Sequence, residues 1–343
     1  MVAPGTAVRE GIDAIVQARL GALICIGDDS ELSFLYSGGI KIDMDYTPAV
    51  LYQLAKMDGA IILNSNTTKI SWANVQLMPD PTILSLETGT RHRTAERVSK
   101  QTDSLVIAIS ASRDVVSLYV GGLKYILEDI ATVLSKANQG LATLEKYRAR
   151  LDQVSARLTQ LEFAGDAVLY DVLSVLQRAE LVSRMATEVE RWIIELGAEG
   201  RLIEMQLEEL VVGVITERST LVRDYATSLA EPDIENAIAE LGRLEHQELL
   251  DFGRLAELLG HDRKTNTLDF PVEPRGFRAL SRVPRLPRLV AQKVVDRFGD
   301  LGAILNAGES DLEAVDGVGE ARAIEIREGL RRLGEVDLVD RYP

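Results

Sequence analysis

The chain has a single cysteine, no apolar run long enough to cross a membrane, and no proline between Pro81 and Pro232. One thiol, Cys25, allows neither an intrachain disulfide nor a thiolate metal cluster. It lies in Ala22-Leu23-Ile24-Cys25-Ile26, where a small buried hydrophobe in a strand is the expected role. A secretory leader needs an uninterrupted apolar core, and Arg9, Asp13, Arg19 and Asp28 interrupt the first 30 residues. A cytoplasmic protein without membrane contact is therefore expected. The missing prolines leave the middle of the chain free to form long helices.

Positive charge is also short. Lys and Arg number 38 against 53 Asp and Glu, a formal net charge of −15. A uniformly acidic surface repels phosphate backbones, so any nucleic-acid site must be a local basic patch. With 46% hydrophobic and 27% charged residues in 343, the composition is that of a globular protein of two or three domains, with no bias toward disorder.

Three regions follow one another. Across residues 1–125, β-rich runs at 22–26, 60–64, 69–77, 105–109 and 115–120 alternate with helix-like or turn-rich segments at 8–19, 47–57 and 94–101. That pattern predicts a central mixed sheet flanked by helices. From about Gly122 strand signals vanish, and residues 126–265 read as an all-α bundle. In it Ala137, Leu141, Leu144, Leu151, Val154, Leu158 and Leu161 lay one apolar stripe along a helix, and segments 168–192 and 202–221 repeat the pattern. Beyond residues 261–267, Pro271, Pro274, Pro284 and Pro287 mark a linker into a separate tail, residues 271–343.

The tail repeats itself at an offset of 32, which superposes Leu280 on Leu312, Val283 on Val315, Leu286 on Val318, Ala291 on Ala323, Val294 on Ile326 and Phe298 on Leu330. Two copies of helix, tight turn and helix explain the register. In the second copy Ser310 with Glu313 suits a capping box, and the turn reads Asp316-Gly317-Val318-Gly319. Glycines there bring backbone N–H groups to a phosphate, with Arg322 and Arg327 adding charge. This resembles the helix-hairpin-helix motif, which grips the DNA backbone without reading bases. The first copy has Pro284-Arg285-Leu286-Pro287 where the glycines belong, and prolines remove N–H donors. Yet residues 275–298 carry Arg275, Arg278, Arg282, Arg285, Arg288, Lys293 and Arg297 against only Asp296, a local +6. A helical docking module with a solvated basic face is the other reading of this tail.

The densest polar constellation of the front region is Thr88-Gly89-Thr90-Arg91-His92-Arg93-Thr94, leading into a helix. Hydroxyls and N–H groups at a helix start accept an anion, and two arginines neutralise a polyphosphate. A capped surface helix with solvated arginines fits the same spacing. The segment is not a P-loop. Asp58-Gly59-Ala60 falls where helix 47–57 gives way to a strand. A carboxylate at a helix C-terminus opposes the dipole unless a cation such as a divalent metal sits beside it, while an ordinary turn aspartate is the plainer account.

Together with Leu77-Met78-Pro79-Asp80, these segments resemble the diadenylate cyclase family, whose hallmarks are an Asp-Gly-Ala motif and an Arg-His-Arg motif preceded by Gly-Thr. The order of cyclase, bundle and helix-hairpin-helix tail resembles the DNA integrity scanning members of that family over essentially the whole chain. The resemblance implies condensation of two ATP into cyclic di-AMP and two pyrophosphates, with two cyclase domains face to face. It implies Asp58 as catalytic residue and ligand of Mg²⁺ or Mn²⁺, and Gly59, Leu77, Thr90, Arg91, His92, Arg93 and Thr94 as the ATP site. It further implies a homo-octamer that binds branched or duplex DNA, here through Arg285, Arg288, Gly317, Gly319 and Arg322. The rival of another class is a DNA-structure scaffold that holds ATP without cyclising it. A hydrolytic nuclease is disfavoured, since no carboxylate and histidine cluster suited to two metals is visible.

Overall fold

The computed structural model describes residues 1–112, 115–228, 230–263 and 265–339. Lys264 of the expected linker and residues 340–343 of the expected tail lie outside the described residues. The chain forms two compact units, residues 1–138 with 191–204, and residues 139–190 with 205–343.

The first unit opens with α1 (Ala7–Gln17), β1 (Ala22–Ile26), α2 (Asp29–Leu32), β2 (Tyr36–Ser37), β3 (Ile40–Asp45) and α3 (Pro48–Leu54). It continues through β4 (Ala60–Leu63), β5 (Lys69–Leu77), α4 (Thr90–Gln101), β6 (Leu105–Ser110), β7 (Val115–Val120) and β8 (Leu123–Leu127). The sheet runs β2-β5-β4-β1-β6-β7-β8, with β3 also on β5. It is mixed: β1 and β4 are parallel, and the other pairs are antiparallel. Side chains alternate across each strand, so Ala22, Ile24 and Ile26 join Val8, Ile12, Ile15 and Leu51 on the face covered by α1 and α3. Leu23 and Cys25 join Ala95 and Val98 of α4 on the other. Coverage of both faces explains why the central strands read as unbroken apolar runs. Cys25 is fully buried, and burial pushes its thiol up to about 12.

Two expectations for this region need correction. Strand signals do not end at Gly122, because β8 pairs with β7 across the Gly121-Gly122 turn. Leu123, Tyr125 and Ile126 of this edge strand are exposed, which blurs the two-sided apolar pattern. Helix α3 ends at Leu54, so Asp58 lies four residues past it in a bend and not in a helical last turn.

Helices α5 (Ile130–Ala164) and α6 (Leu169–Leu196) follow, then α7 (Arg201–Val211) and α8 (Val214–Tyr225). The expected single segment 202–221 is thus two helices, parted at Val212-Gly213. Next come α9 (Glu231–Arg243), α10 (His246–Leu250), α11 (Phe252–Leu258), α12 (Phe277–Ser281), α13 (Arg288–Phe298), α14 (Leu301–Asn306), α15 (Glu309–Glu313) and α16 (Glu320–Val339).

The 32-residue repeat is real at the level of the backbone. All six superposed residue pairs lie in or against one shared core. Arg285 and Gly317 are equivalent and both left-handed, with φ +60° and +88°. Leu286 N–H bonds Val283 C=O as Val318 N–H bonds Val315 C=O. The cap of α15 is shifted from the expected pair: Asp311 accepts from Gly308 N–H at 3.1 Å, an acidic i+3 spacing two residues earlier.

The tail shares one compact unit with the helices before it, and part of its basic stretch is engaged there. Arg278 is 1% exposed, paired with Glu162 of α5 and Glu217 of α8. Arg282 donates to Thr159 and Ser155 at 2.8 Å each, and Arg275 donates to the carbonyls of Arg223 and Ala226. Asp224 accepts the N–H groups of Gly276, Phe277 and Arg278 at 2.7–2.8 Å, capping α12 from outside. Leu169 N–H bonds Phe270 C=O and Val272 N–H bonds Ala167 C=O, tying down the entry to the tail. Carboxylates withdrawn from water need cations, and Arg278 and Arg282 of the basic stretch supply them to Glu162 and Glu217.

Candidate nucleotide site

The strand register gathers the candidate residues at one end of the sheet. Parallel β1 and β4 start there, and antiparallel β5 and β6 finish there, since Ala60 faces Val75 and Ala22 faces Ile109. Asp58 lies just before β4 and Gly21 just before β1 at this end. Over Gly21 lies Arg91: a Cβ there would fall 2.6 Å from Arg91 Nη1. Asp58 and Arg91, distant in sequence, thus both lie at this end of the sheet.

Asp58 is exposed and has no hydrogen-bond or ion-pair partner among the described residues. Gly59 is required for a reason the sequence did not disclose. Its φ is +85°, and a Cβ would sit 2.8 Å from Asn74 C and Val75 O, inside the backbone of β5. The register of β4 on β5 shifts just beyond it, between Ala60 and Ile62. Leu77 ends β5 with its side chain 9% exposed, and it packs in the core under α4.

Thr90, Arg91 and His92 form the first turn of α4. Its cap is Gly89, which supplies no side chain, so the first-turn N–H groups are left for a ligand or solvent. Arg93 folds back instead, its Nε donating to Glu87 C=O at 3.2 Å, and its main-chain N–H bonds Gly89 C=O at 2.8 Å. Thr94 is half-buried in the second turn. Helix α4 also straps down the loop before it: Gln101 accepts from Asp80 N–H, and Arg97 and Lys100 donate to the carbonyls of Ile83 and Leu84.

A cleft of 280 Å³ opens at this helix start, lined by Thr88, Gly89 and His92 together with Ser110, Ser117 and Lys124. The last three were missed in the sequence, although Ser117 does interrupt an apolar strand. His92 Nδ1 lies 3.1 Å from the hydroxyl of buried Tyr119, and Lys124 Nζ donates to Glu87 at 2.6 Å. Burial, then the nearby Glu87 carboxylate, raise the Tyr119 phenol well above its ordinary value. Glu87 is pulled below the usual range: burial opposes this, but Lys124, Tyr119 and His92 outweigh it.

Among the described residues no three His, Cys, Asp or Glu side chains group together as a metal cage. The donor chemistry fits a hard divalent cation held by one carboxylate and completed by phosphate oxygens and water. Among the described residues no helix is long and apolar enough to cross a membrane.

Of the expected DNA-contacting residues, Arg285 is exposed with no partner among the described residues, and Arg288 approaches only Glu231, at 3.6 Å. Gly317 and Gly319 are exposed at the second turn, and Arg322 donates to Gly317 C=O at 2.6 Å.

Two family models match the chain: "DisA bacterial checkpoint controller nucleotide-binding" over residues 9–123, and "DisA bacterial checkpoint controller linker region" over residues 127–268. The chain is 50% identical to the DNA integrity scanning protein DisA of Carboxydothermus hydrogenoformans, over 97% of this chain and 95% of the relative. It is 47% identical to the protein of that name from Streptomyces coelicolor, over 99% and 92%. For that from Symbiobacterium thermophilum the identity is 50%, over 97% and 93%. The chain therefore belongs to the DNA integrity scanning protein DisA family, and its first unit carries that family's nucleotide-binding domain.

Proposed function

We propose that the protein is a diadenylate cyclase, a nucleotidyltransferase that condenses two ATP into cyclic di-AMP and two pyrophosphates. What supports this reading is that Asp58, just before β4, belongs to the same end of the sheet as Arg91 over Gly21 and the side-chain-free first turn of α4. A triphosphate laid on that turn meets N–H donors, the Thr90 hydroxyl and the Arg91 guanidinium. Arg93 would hold the approaching loop and add charge, His92 would border the phosphates, and Thr94 would support the turn behind them. Leu77 would meet the adenine largely with its backbone, its side chain being core.

Asp58 would hold Mg²⁺ or Mn²⁺, which lowers the cost of deprotonating a hydroxyl and neutralises phosphate charge. The carboxylate accepts the proton of one ATP's 3′-hydroxyl as that oxygen bonds the α-phosphorus of the other ATP. The bond to the β-phosphate bridging oxygen breaks, and the departing pyrophosphate keeps the electron pair and is stabilised by Arg91 and the helix start. Repetition in the opposite sense closes the ring, so two such domains must face one another; a homo-octamer belongs to the same reading.

The tail, residues 271–343, is proposed as a tandem helix-hairpin-helix domain that binds branched or duplex DNA and couples it to the cyclase of a cytoplasmic protein. Residues 1–125 would be the cyclase domain and 126–265 the helical region. Arg285 and Arg288, with the Gly317-Gly319 turn, supply the phosphate contacts, while Arg322 stiffens that turn. Incubation with ATP and Mg²⁺ or Mn²⁺ followed by mass spectrometry tests the chemistry. Cyclic di-AMP is expected; ADP or unchanged ATP would overturn it.

A further inference from the structure

The cleft at the start of α4 has a polar group at its floor that is left unmatched. Ser117 is wholly buried in β7, and its hydroxyl has no hydrogen-bond partner among the described residues. An unpaired buried hydroxyl is destabilising, and alanine at this place in an apolar strand would avoid the loss. The strand register shows where the hydroxyl stands. Ser117 pairs with Ala108 of β6 and Ile126 of β8, and Tyr119 pairs with Lys124. Paired and alternate residues share a face of a sheet. Ser117 therefore lies with Ala108 and Tyr119 on the face covered by α4, and Ile126 and Lys124 join it in lining the cleft.

The rest of the lining is rich in donors. Ser110 and Ser112 add hydroxyls, and the first turn of α4 opens here with a cap, Gly89, that offers its N–H groups no side chain. Glu87 also lines the cleft, but Lys124 Nζ bonds it at 2.6 Å and meets its charge. An ammonium has three protons, so Lys124 keeps donors for a ligand. Strand order gives the site a direction. It runs β4-β1-β6-β7-β8, with Asp58 just before β4, Gly21 and the Arg91 over it just before β1, and Ser110 at the end of β6. In that order Asp58 and the cleft fall on opposite sides of Arg91.

We propose that the cleft receives the leaving end of the ATP phosphate chain. The sugar lies toward Asp58, the α-phosphate beside Arg91, and the β- and γ-phosphates in the cleft, where the Ser117 hydroxyl donates to a phosphate oxygen and Lys124 neutralises charge from β8. Ser117 and Lys124 are thus binding residues for the pyrophosphate that departs with the electron pair of the bridging oxygen. Donors fixed around it beforehand stabilise that charge as it develops. The assignment rests on the reading of this domain as an ATP site.

Calorimetric titration of the full chain with α,β-methylene ATP and with AMP, each with Mg²⁺, tests it. Ser117→Ala should bind the ATP analogue at least about fivefold more weakly, while AMP, which lacks the far phosphates, binds as it does to the parent. Its thermal midpoint without nucleotide should equal or exceed the parent's, because an unpaired buried hydroxyl has gone. Lys124→Met should also weaken the analogue and spare AMP, with a shallower salt dependence. Unchanged analogue affinity in either variant, a parallel loss of AMP, or a lowered midpoint in Ser117→Ala overturns the assignment. A parent that binds neither nucleotide overturns the ATP site itself, so the two readings fail by different results.

Discussion

Arg278 of α12 donates from Nε to Glu217 of α8 at 2.8 Å, and the Arg278 side chain is 1% exposed. The same guanidinium pairs with Glu162 of α5, so one arginine of the tail serves two buried carboxylates of the helical region. Removing it leaves Glu162 without its ion pair and Glu217 with Arg282 alone, at 3.3 Å. Arg278→Ala should cost about 3–5 kcal/mol, seen as a large fall in the urea midpoint, and Arg278→Lys should not restore it, since an ammonium cannot span both partners. A midpoint near that of the parent would show the network to be incidental.

Stability should also depend on pH through this region. Burial raises Asp224 to about 7, against three backbone hydrogen bonds that oppose the shift, and burial raises Glu162 despite Arg278. A raised folded pKa contributes stability that is complete below the unfolded value and is lost as pH rises through the folded one. Asp224 should thus contribute fully below pH about 4, with the loss complete above about 7. Urea midpoints in a pH series should show that slope, and Asp224→Asn should flatten it.

Asp58→Asn should keep the fold and lose more than about a hundredfold in cyclisation, roughly 3 kcal/mol of transition-state stabilisation. An amide neither accepts the hydroxyl proton nor ligates a hard cation well. Gly59→Ala should act differently, lowering thermal stability as well as turnover, because its Cβ would strike the backbone of Asn74 and Val75. Near-normal turnover in Asp58→Asn, at unchanged protein concentration, would take that residue out of the mechanism.

Arg91→Ala should weaken ATP affinity and turnover together, since its charge serves the bound triphosphate as well as the transition state. Titration calorimetry decides: an unchanged affinity would leave α4 as an ordinary surface helix.

For DNA, whole-tail deletion is a poor test, because it would strip Arg275, Arg278 and Arg282 from buried partners. Arg285→Glu with Arg288→Glu touches exposed side chains only. The double variant should bind duplex and branched DNA at least about tenfold more weakly, regardless of base sequence, with a shallower salt dependence. Unchanged gel-shift affinity at physiological salt would remove the first hairpin from the interface.

Much of this was legible in advance. Residues 22–26, 69–77 and 115–120 are strands at the expected bounds, because β-branched runs between turn residues have few alternatives. The offset of 32 in the tail survives down to matching hydrogen bonds at Val283 and Val315. Strand β3 was overlooked although Ile40-Lys41-Ile42-Asp43-Met44-Asp45 alternates, since most of its residues are exposed and it crosses a register shift. Ser310 and Glu313 had suitable spacing for a cap, but Gly308 and Asp311 had the same chemistry two residues earlier and took the position.

What the sequence by itself determined is local: which segments prefer helix or strand, which turn must carry glycine, and which polar groups cluster along the chain. Those preferences act between near neighbours and leave a periodic trace. Tertiary structure alone decided that Arg91 lies over Gly21, that Tyr119 meets His92, and that Arg275, Arg278 and Arg282 are engaged by other segments of the protein. A linear sequence shows a charge but not its surroundings, and whether an arginine faces solvent or an interior acceptor depends on residues 49 to 127 positions away.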